Sequence, residues 1–318
     1  MPMTLALILD GILGDPIWFP HPVVGFGRLI NYIEKKLYKA TDTKDTQFKK
    51  GVILLLLLIL AAALPTVLLI GLTNGLPRFI LMVLLFWLTL SMKTMAKEAR
   101  SVADRLENGS LDEARTQLAR IVGRDTAKLS APDIAKASIE SVAESTSDGI
   151  IAPMVWGLLL GPVGAMVYKA INTLDSMVGY QTDKYRWFGR ASAQADDVVN
   201  YIPARLTGLV AVFMAIVAGE NMGDAFRIYK RDHAKHASPN SGHPEAAFAG
   251  ALNIELGGPA SYGGSLIDKP YLNRGAAKAK PADIIKAIKL MEMTVKVFLL
   301  SLFLILLITG GNVWTGLN

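Results

Sequence analysis

Cysteine is absent from the 318 residues. That excludes a disulfide scaffold, a thiolate zinc site, an iron–sulfur cluster and a cysteine nucleophile. Formal charge is scarce, at 19% of residues against about 25% in an average soluble domain. A secretory leader is not expected: the first apolar run, Leu5 to Leu9, is short, lacks a basic lead and is followed by Asp10 and Asp15. It reads as a retained helix. Nucleotide-binding and hydrolase signatures are missing too. There is no Walker A loop, no Gly-x-Gly-x-x-Gly opening a helix after a strand, and no Gly-x-Ser-x-Gly. No DNA-binding module accompanies the net charge of +6, so nucleic acid is not an expected partner.

What is present is apolar residue, 52% of the chain, gathered into runs. Gly51 to Pro77 is uncharged for 27 residues and Phe79 to Met92 for 14; Val297 to Asn318 adds 22. About 20 apolar residues in a helix span a bilayer, so 51–72, 76–95 and 296–316 are expected to be membrane helices, the first two as a pair over 51–95. Gly149–Tyr168 and Leu206–Gly219 are also uncharged, over 20 and 14 residues, and read either as spans or as half-buried segments packed among the others. The expected fold class is all-α: a polytopic α-helical integral membrane protein of about four to five transmembrane helices, with cytoplasmic helices and long ordered loops, forming a single membrane-embedded domain over 1–318.

Lys and Arg are held on the cytoplasmic side. Arg28–Lys50 carries 7 of them, Lys93–Lys136 carries 9 and Arg227–Lys296 carries 11, while Arg78 stands alone in a tight turn. Segments 28–50, 93–148 and 220–296 are therefore expected inside and the Leu76–Arg78 turn outside. The 5 basic residues of 169–205 leave the side of that segment open. In the polar stretches, 93–128 reads as amphipathic helices broken at Asn108-Gly109 and restarted at Ser110. Ser130-Ala-Pro-Asp133 starts another, expected to stop at Asp148-Gly149. Residues 232–281, rich in Gly, Pro, Ser and Asn, read as a long ordered loop region.

Acids recur on shared helix faces. Glu140, Glu144 and Asp148 are spaced by four, where like charges repel unless a cation or cationic group intervenes. Asn172, Asp175, Ser176 and Gly179 share a face beside an apolar segment, followed by Tyr180; polar groups at membrane depth mark a site by default. Asp196-Asp197-x-x-Asn200 offers oxygen donors suited to Mg²⁺. With Asp10, Asp15 and Asp175, these three form the candidate metal set. His21 lies between Pro20 and Pro22, as a candidate phosphate ligand or base. Arg231-Asp-His-Ala-Lys235-His236-Ala-Ser238-Pro-Asn240-Ser-Gly-His243-Pro-Glu245 suits a phosphate or carboxylate pocket better than zinc, because His233 and His236 lack the spacing of a metalloprotease helix.

Five blocks resemble the adenosylcobinamide-phosphate synthase family of cobalamin biosynthesis, the CobD/CbiB type. They are Asp10-Gly-Ile-Leu-Gly-Asp-Pro with Pro-His-Pro-Val; Glu140-Ser-Val-Ala-Glu144 with Asp148-Gly-Ile-Ile-Ala-Pro; Tyr168-Lys-Ala-Ile-Asn-Thr-Leu-Asp-Ser-Met-Val-Gly-Tyr180; Asp196-Asp197 with Asn200-Tyr-Ile-Pro-Ala-Arg205; and Ser238-Pro-Asn-Ser-Gly with Pro-Glu245-Ala. They are spread over 10–264 in the family's order. Ser145 departs from a common Asn and His243 from a common aromatic residue. The resemblance implies a multi-pass enzyme of the cell membrane, active site toward the cytoplasm. Such an enzyme joins a carboxylate of adenosylcobyric acid to the amine of (R)-1-aminopropan-2-ol phosphate, or a related amino alcohol, with ATP and Mg²⁺. Its partners would be the corrinoid, the amino-alcohol phosphate and the lipid bilayer, with the oligomeric state open.

On that reading Glu140, Glu144, Asp148 and Asp175 are the expected catalytic acids. Expected substrate and phosphate contacts are His21, Asn172, Ser176, Tyr180, Arg205, Arg231, Lys235, His236, Ser238, Asn240 and Glu245. Two other readings compete. Asn172-x-x-Asp175 and Asp196-Asp197-x-x-Asn200 imitate the boxes of a membrane prenyltransferase, but Gly179 stands where a further Asp is expected. A non-catalytic membrane sensor of the same superfamily would be favoured by loss of the acid clusters, and they are present.

Overall fold

A computed structural model describes residues 2–16, 19–180 and 182–308. The chain is helical almost throughout, and four of its helical stretches are long and apolar enough to cross a membrane: Lys44–Gly71, Gly75–Asn108, Ala131–Val178 and Arg190–Ala218. It is a polytopic α-helical membrane protein. The chain clusters into two compact units. One holds Met1–Leu90 and Ala152–Asn200, the other Ser91–Ile151 and Tyr201–Ile308.

The first unit begins with α1 (Pro2–Leu13) and α2 (Pro22–Leu37). Proline at the first position of α2 suits its fixed φ, and the preceding His21 caps the helix, its Nδ1 accepting from Val23 N at 3.3 Å. α3 (Lys44–Gly71) starts seven residues before the uncharged run, capped by Thr43, whose hydroxyl accepts from Thr46 N. Leu54, Leu58, Ala62, Thr66 and Ile70 form a buried stripe at four-residue spacing. Leu56, Leu57, Leu60, Leu64 and Leu68 are exposed, as a lipid-facing surface requires. α4 (Gly75–Trp87) ends earlier than the expected 76–95 helix. The chain turns over Leu88–Leu90, with the Thr89 hydroxyl donating to the Phe86 carbonyl at 2.7 Å, before the next helix begins.

α8 (Ala152–Val178) contains the first of the two ambiguous apolar segments. It breaks at Gly161, whose φ of 74° only glycine adopts without strain, followed by Pro162. α9 (Arg190–Ala218) contains the second, and the boundary between units falls inside it, after Asn200. The core of this unit is Phe26 and Ile30 of α2, Leu54, Leu58 and Ala62 of α3, Met166, Ala170, Leu174 and Val178 of α8, and Phe188 from the loop before α9. That loop is pinned to the polar end of α3: a β-carbon at Gly51 would overlap the Phe188 carbonyl. Glu34 of α2 fastens it further, pairing with Lys184 at 2.6 Å and accepting from the Tyr185 hydroxyl at 3.1 Å. The segment 182–189, whose side the charge pattern left open, therefore lies with 34–51.

The second unit opens with α5 (Met92–Asn108) and α6 (Leu111–Leu118), divided at Gly109. Ser110 caps α6 by accepting from Glu113 N at 3.2 Å, as its sequence predicts. α7 (Ala131–Thr146) does not stop at Asp148-Gly149. It runs through a π turn, Ser147–Ile151, directly into α8. Burial of Ile150 and Ile151 overrides the local stop, and Gly149 accommodates Ser91, whose hydroxyl donates to its carbonyl at 3.2 Å.

The expected loop 232–281 is partly structured. α10 (Met222–Asp232) and a short 3₁₀ turn lead to α11 (Gly242–Ala251), every residue of which is buried. Pro244 sits in the first turn of α11, where it costs no hydrogen bond. Two antiparallel pairs follow: β1 (Leu256–Gly257) with β4 (Tyr271–Leu272), and β2 (Ala260–Tyr262) with β3 (Ser265–Ile267). α12 (Pro281–Ile308) contains the start of the expected 296–316 span; the rest of that span, 309–316, lies outside the described residues.

Candidate active site

In the second unit α7 presents Glu140 and Glu144 one turn apart. Glu140 is buried, pairs with Arg124 and accepts from Gly257 N at 2.6 Å. Glu144 is exposed and accepts from the Ser241 hydroxyl at 3.0 Å. α11 contributes Glu245, buried, with His236 Nε2 at 3.7 Å from its Oε1. Burial, together with the charges of Glu140 and Glu144, holds the Glu245 carboxyl well above the usual carboxylate range. Burial pushes the His236 imidazole down. Ser238 N donates to its Nδ1 at 3.0 Å, so the network assigns the neutral ring's hydrogen to Nε2, toward Glu245. Both shifts favour the neutral forms, a protonated carboxyl beside an uncharged imidazole.

The Ser238-Pro-Asn-Ser-Gly loop holds its own shape, the Ser238 hydroxyl accepting from Asn240 N and Ser241 N, each at 3.2 Å. Asn240 is buried, and its Oδ1 lies 3.5 Å from the Arg205 guanidinium. Arg205 covers the Tyr201 ring and donates to the Tyr201 carbonyl; among the described residues it forms no ion pair. Arg231 and Lys235 differ. Both pair with the fully buried Asp232, at 2.7 and 2.6 Å, and Asp232 also accepts from Asn273 N at 2.7 Å. These donors keep Asp232 ionised far below the usual range despite its burial. Half of the positive charge that the two cations offer is thus cancelled. His243 packs between Tyr229, whose hydroxyl lies 2.9 Å from its Nδ1, and His233 at 4.6 Å between ring centres. Burial, with the nearby Arg205 and His233 charges, depresses His243 to about 4.

In the first unit a second set gathers on α8 and α9. Asp196 accepts from Asn200 Nδ2 at 2.9 Å and lies 3.4 Å from Asn172 Nδ2. The Tyr168 hydroxyl donates to Asn200 Oδ1 at 2.8 Å, and the Ser176 hydroxyl donates to the Asn172 carbonyl at 2.8 Å. Asp175 and Asp197 are half-buried and Tyr180 is exposed. Asp10 is fully buried in α1, while Asp15 lies 3.5 Å from His21. Among the described residues, no three of His, Asp and Glu are gathered closely enough to hold a metal ion by themselves. Asp196 is the one carboxylate of this set, its two oxygens facing the Asn172 and Asn200 amide nitrogens, while Asn200 Oδ1 accepts from Tyr168. Asp148 lies in the π turn that follows α7.

Arg124, Ser241 and Tyr168 were not singled out from sequence. Arg124 reaches Glu140 from a loop 16 residues earlier, a pairing that no local pattern announces.

The chain matches the family model described as CobD/Cbib protein over residues 3–291. The chain belongs to the CobD/Cbib family. Every CobD/Cbib position discussed above, from Asp10 to Asn273, falls inside that match. It is 46% identical over 273 residues to a protein of Pelobacter propionicus named cobalamin biosynthesis protein CobD, covering 85% of this chain and 84% of that one. A Geobacter metallireducens protein of the same name is 47% identical over 270 residues, with 84% of each chain covered. One from Desulfotalea psychrophila is 42% identical over 322 residues, with 96% of each covered. No solved structure matches.

Proposed function

We propose that the chain is an adenosylcobinamide-phosphate synthase, joining a corrin carboxylate to the amine of aminopropanol phosphate with ATP and Mg²⁺. The observation that carries this is the acid cluster of the second unit: an exposed Glu144, the buried Glu245 beside His236, and Glu140 paired with Arg124, all close enough for their charges to act on Glu245. Amide formation from a free acid requires activation. The γ-phosphoryl group of ATP passes to a carboxylate oxygen and ADP leaves; the amine nitrogen then attacks the acyl carbon, phosphate departs, and the nitrogen gives up a proton. Glu144, exposed and bonded only to the Ser241 hydroxyl among the described residues, is the proton acceptor. Glu140 is not, because its oxygens already serve Arg124 and Gly257. Arg205 meets the phosphate, and Arg231 and Lys235 shape its approach through Asp232.

Asp196, the carboxylate of the first unit's set, would be a Mg²⁺ ligand, and the ion when bound would neutralise phosphate charge. The Lys and Arg distribution supports an active face toward the cytoplasm. The relatives' name and the family match support the pathway.

The test is reconstituted protein with corrin acid, aminopropanol phosphate, ATP and Mg²⁺, followed by mass detection of the amide. Asp196→Ala is expected to abolish product. Glu144→Gln is expected to lower kcat by roughly 10²–10⁴, with Glu140→Gln affected less. Absence of any corrin amide from the wild-type protein overturns the reading.

A further inference from the structure

Around Trp187, on the loop before α9, three cations converge that the proposed chemistry does not use. Lys44 Nζ lies 5.2 Å from the ring centre, Arg190 Cζ 5.6 Å and Arg186 Cζ 5.8 Å. All three side chains are exposed and Trp187 is half-buried. Among the described residues none of the three forms an ion pair, although Asp45 and Asp183 are near in sequence. Like charges crowd here without a protein counter-ion, so an external anion would relieve them.

Their place decides which anion. Lys44 opens α3, the most apolar of the membrane-spanning helices, and Arg190 opens α9, a second. An indole at the ends of spans belongs at headgroup level, and basic side chains there are drawn to an anionic leaflet. The Lys184 and Tyr185 contacts to Glu34 hold the loop in place, so the three cations are presented together rather than on a free tail.

We infer that Lys44, Arg186, Arg190 and Trp187 form a binding site for the phosphate headgroup of an anionic phospholipid. The experiment titrates phosphatidylglycerol into detergent-solubilised full-length protein and counts bound lipids by native mass spectrometry, with phosphatidylcholine as the neutral control. Wild type is expected to retain phosphatidylglycerol selectively. The triple variant Lys44→Gln, Arg186→Gln, Arg190→Gln is expected to bind it at least tenfold more weakly, whereas Lys278→Gln with Lys280→Gln leaves binding unchanged. If the triple variant does not fold, single Arg186→Gln and Arg190→Gln variants are expected to show graded losses. Undiminished selective binding in these variants overturns the proposal. So does displacement of the lipid by inorganic phosphate at comparable concentration, which would mark a soluble-anion site instead.

Discussion

At the scale of single residues, the second unit stores two buried groups in their neutral forms, with opposite consequences for pH. His243, depressed to about 4, stays uncharged in the fold but gains a proton near pH 6.5 when unfolded. The unfolded chain thus binds more protons between those values, and stability falls as pH drops through that window, by up to roughly 3 kcal/mol. Glu245, held protonated by burial, acts the other way: the fold binds the extra proton, so stability falls as pH rises from the ordinary carboxylate range toward its raised value. Thermal unfolding across pH should separate them. His243→Phe is expected to flatten the acid limb and Glu245→Gln the alkaline one. Removing Glu140 is different in kind, because it strands Arg124 half-buried beside a neutral pair. Glu140→Ala is expected to cost about 3–5 kcal/mol, read as a lowered unfolding midpoint, while Glu140→Gln, which keeps an acceptor for Gly257 N, costs less.

Among the elements, what was legible in sequence was local. Ser110 and Thr43 cap helices through bonds to residues three further on, and Asn108-Gly109 divides α5 from α6; such chemistry is complete within a few residues. The apolar run 51–72 marked α3 as a candidate span because length and composition alone set that. Asp148-Gly149 misled, since a stop signal is a preference of about 1 kcal/mol and burial of Ile150 and Ile151 outweighs it. The site was half legible. Glu140 and Glu144 share a face because α7 is regular, but Arg124 and Ser241 arrive from elsewhere in the chain, and the Arg231–Asp232–Lys235 cluster looked like free positive charge until Asp232 proved buried. Helix packing gives a direct test. Gly51→Ala puts a methyl group where the Phe188 carbonyl sits, so the 182–189 loop has to lift off α3. Loss of about 1–3 kcal/mol is expected, with faster proteolysis at Lys184 and Arg186.

For the whole molecule, the absence of cysteine turns from an exclusion into a tool. Any single introduced thiol is an unambiguous reporter of side. Lys39→Cys and Asp183→Cys, both at exposed positions, are expected to react with an impermeant maleimide from the same face of the membrane, and Asn74→Cys from the other. Labelling of 39 and 183 from opposite faces would contradict the packing of the loop on α3. The contact between Gly51 and Phe188 also sets a parity. A chain that leaves one face at Gly51 and is back on it by Phe188 has traversed the bilayer an even number of times in between. α3 and the Gly75–Asn108 stretch are long and apolar enough for two traversals. α8 can then be a full one only if another segment between Met92 and Thr182 matches it; otherwise Gly161–Pro162 is where α8 turns back on the side it entered.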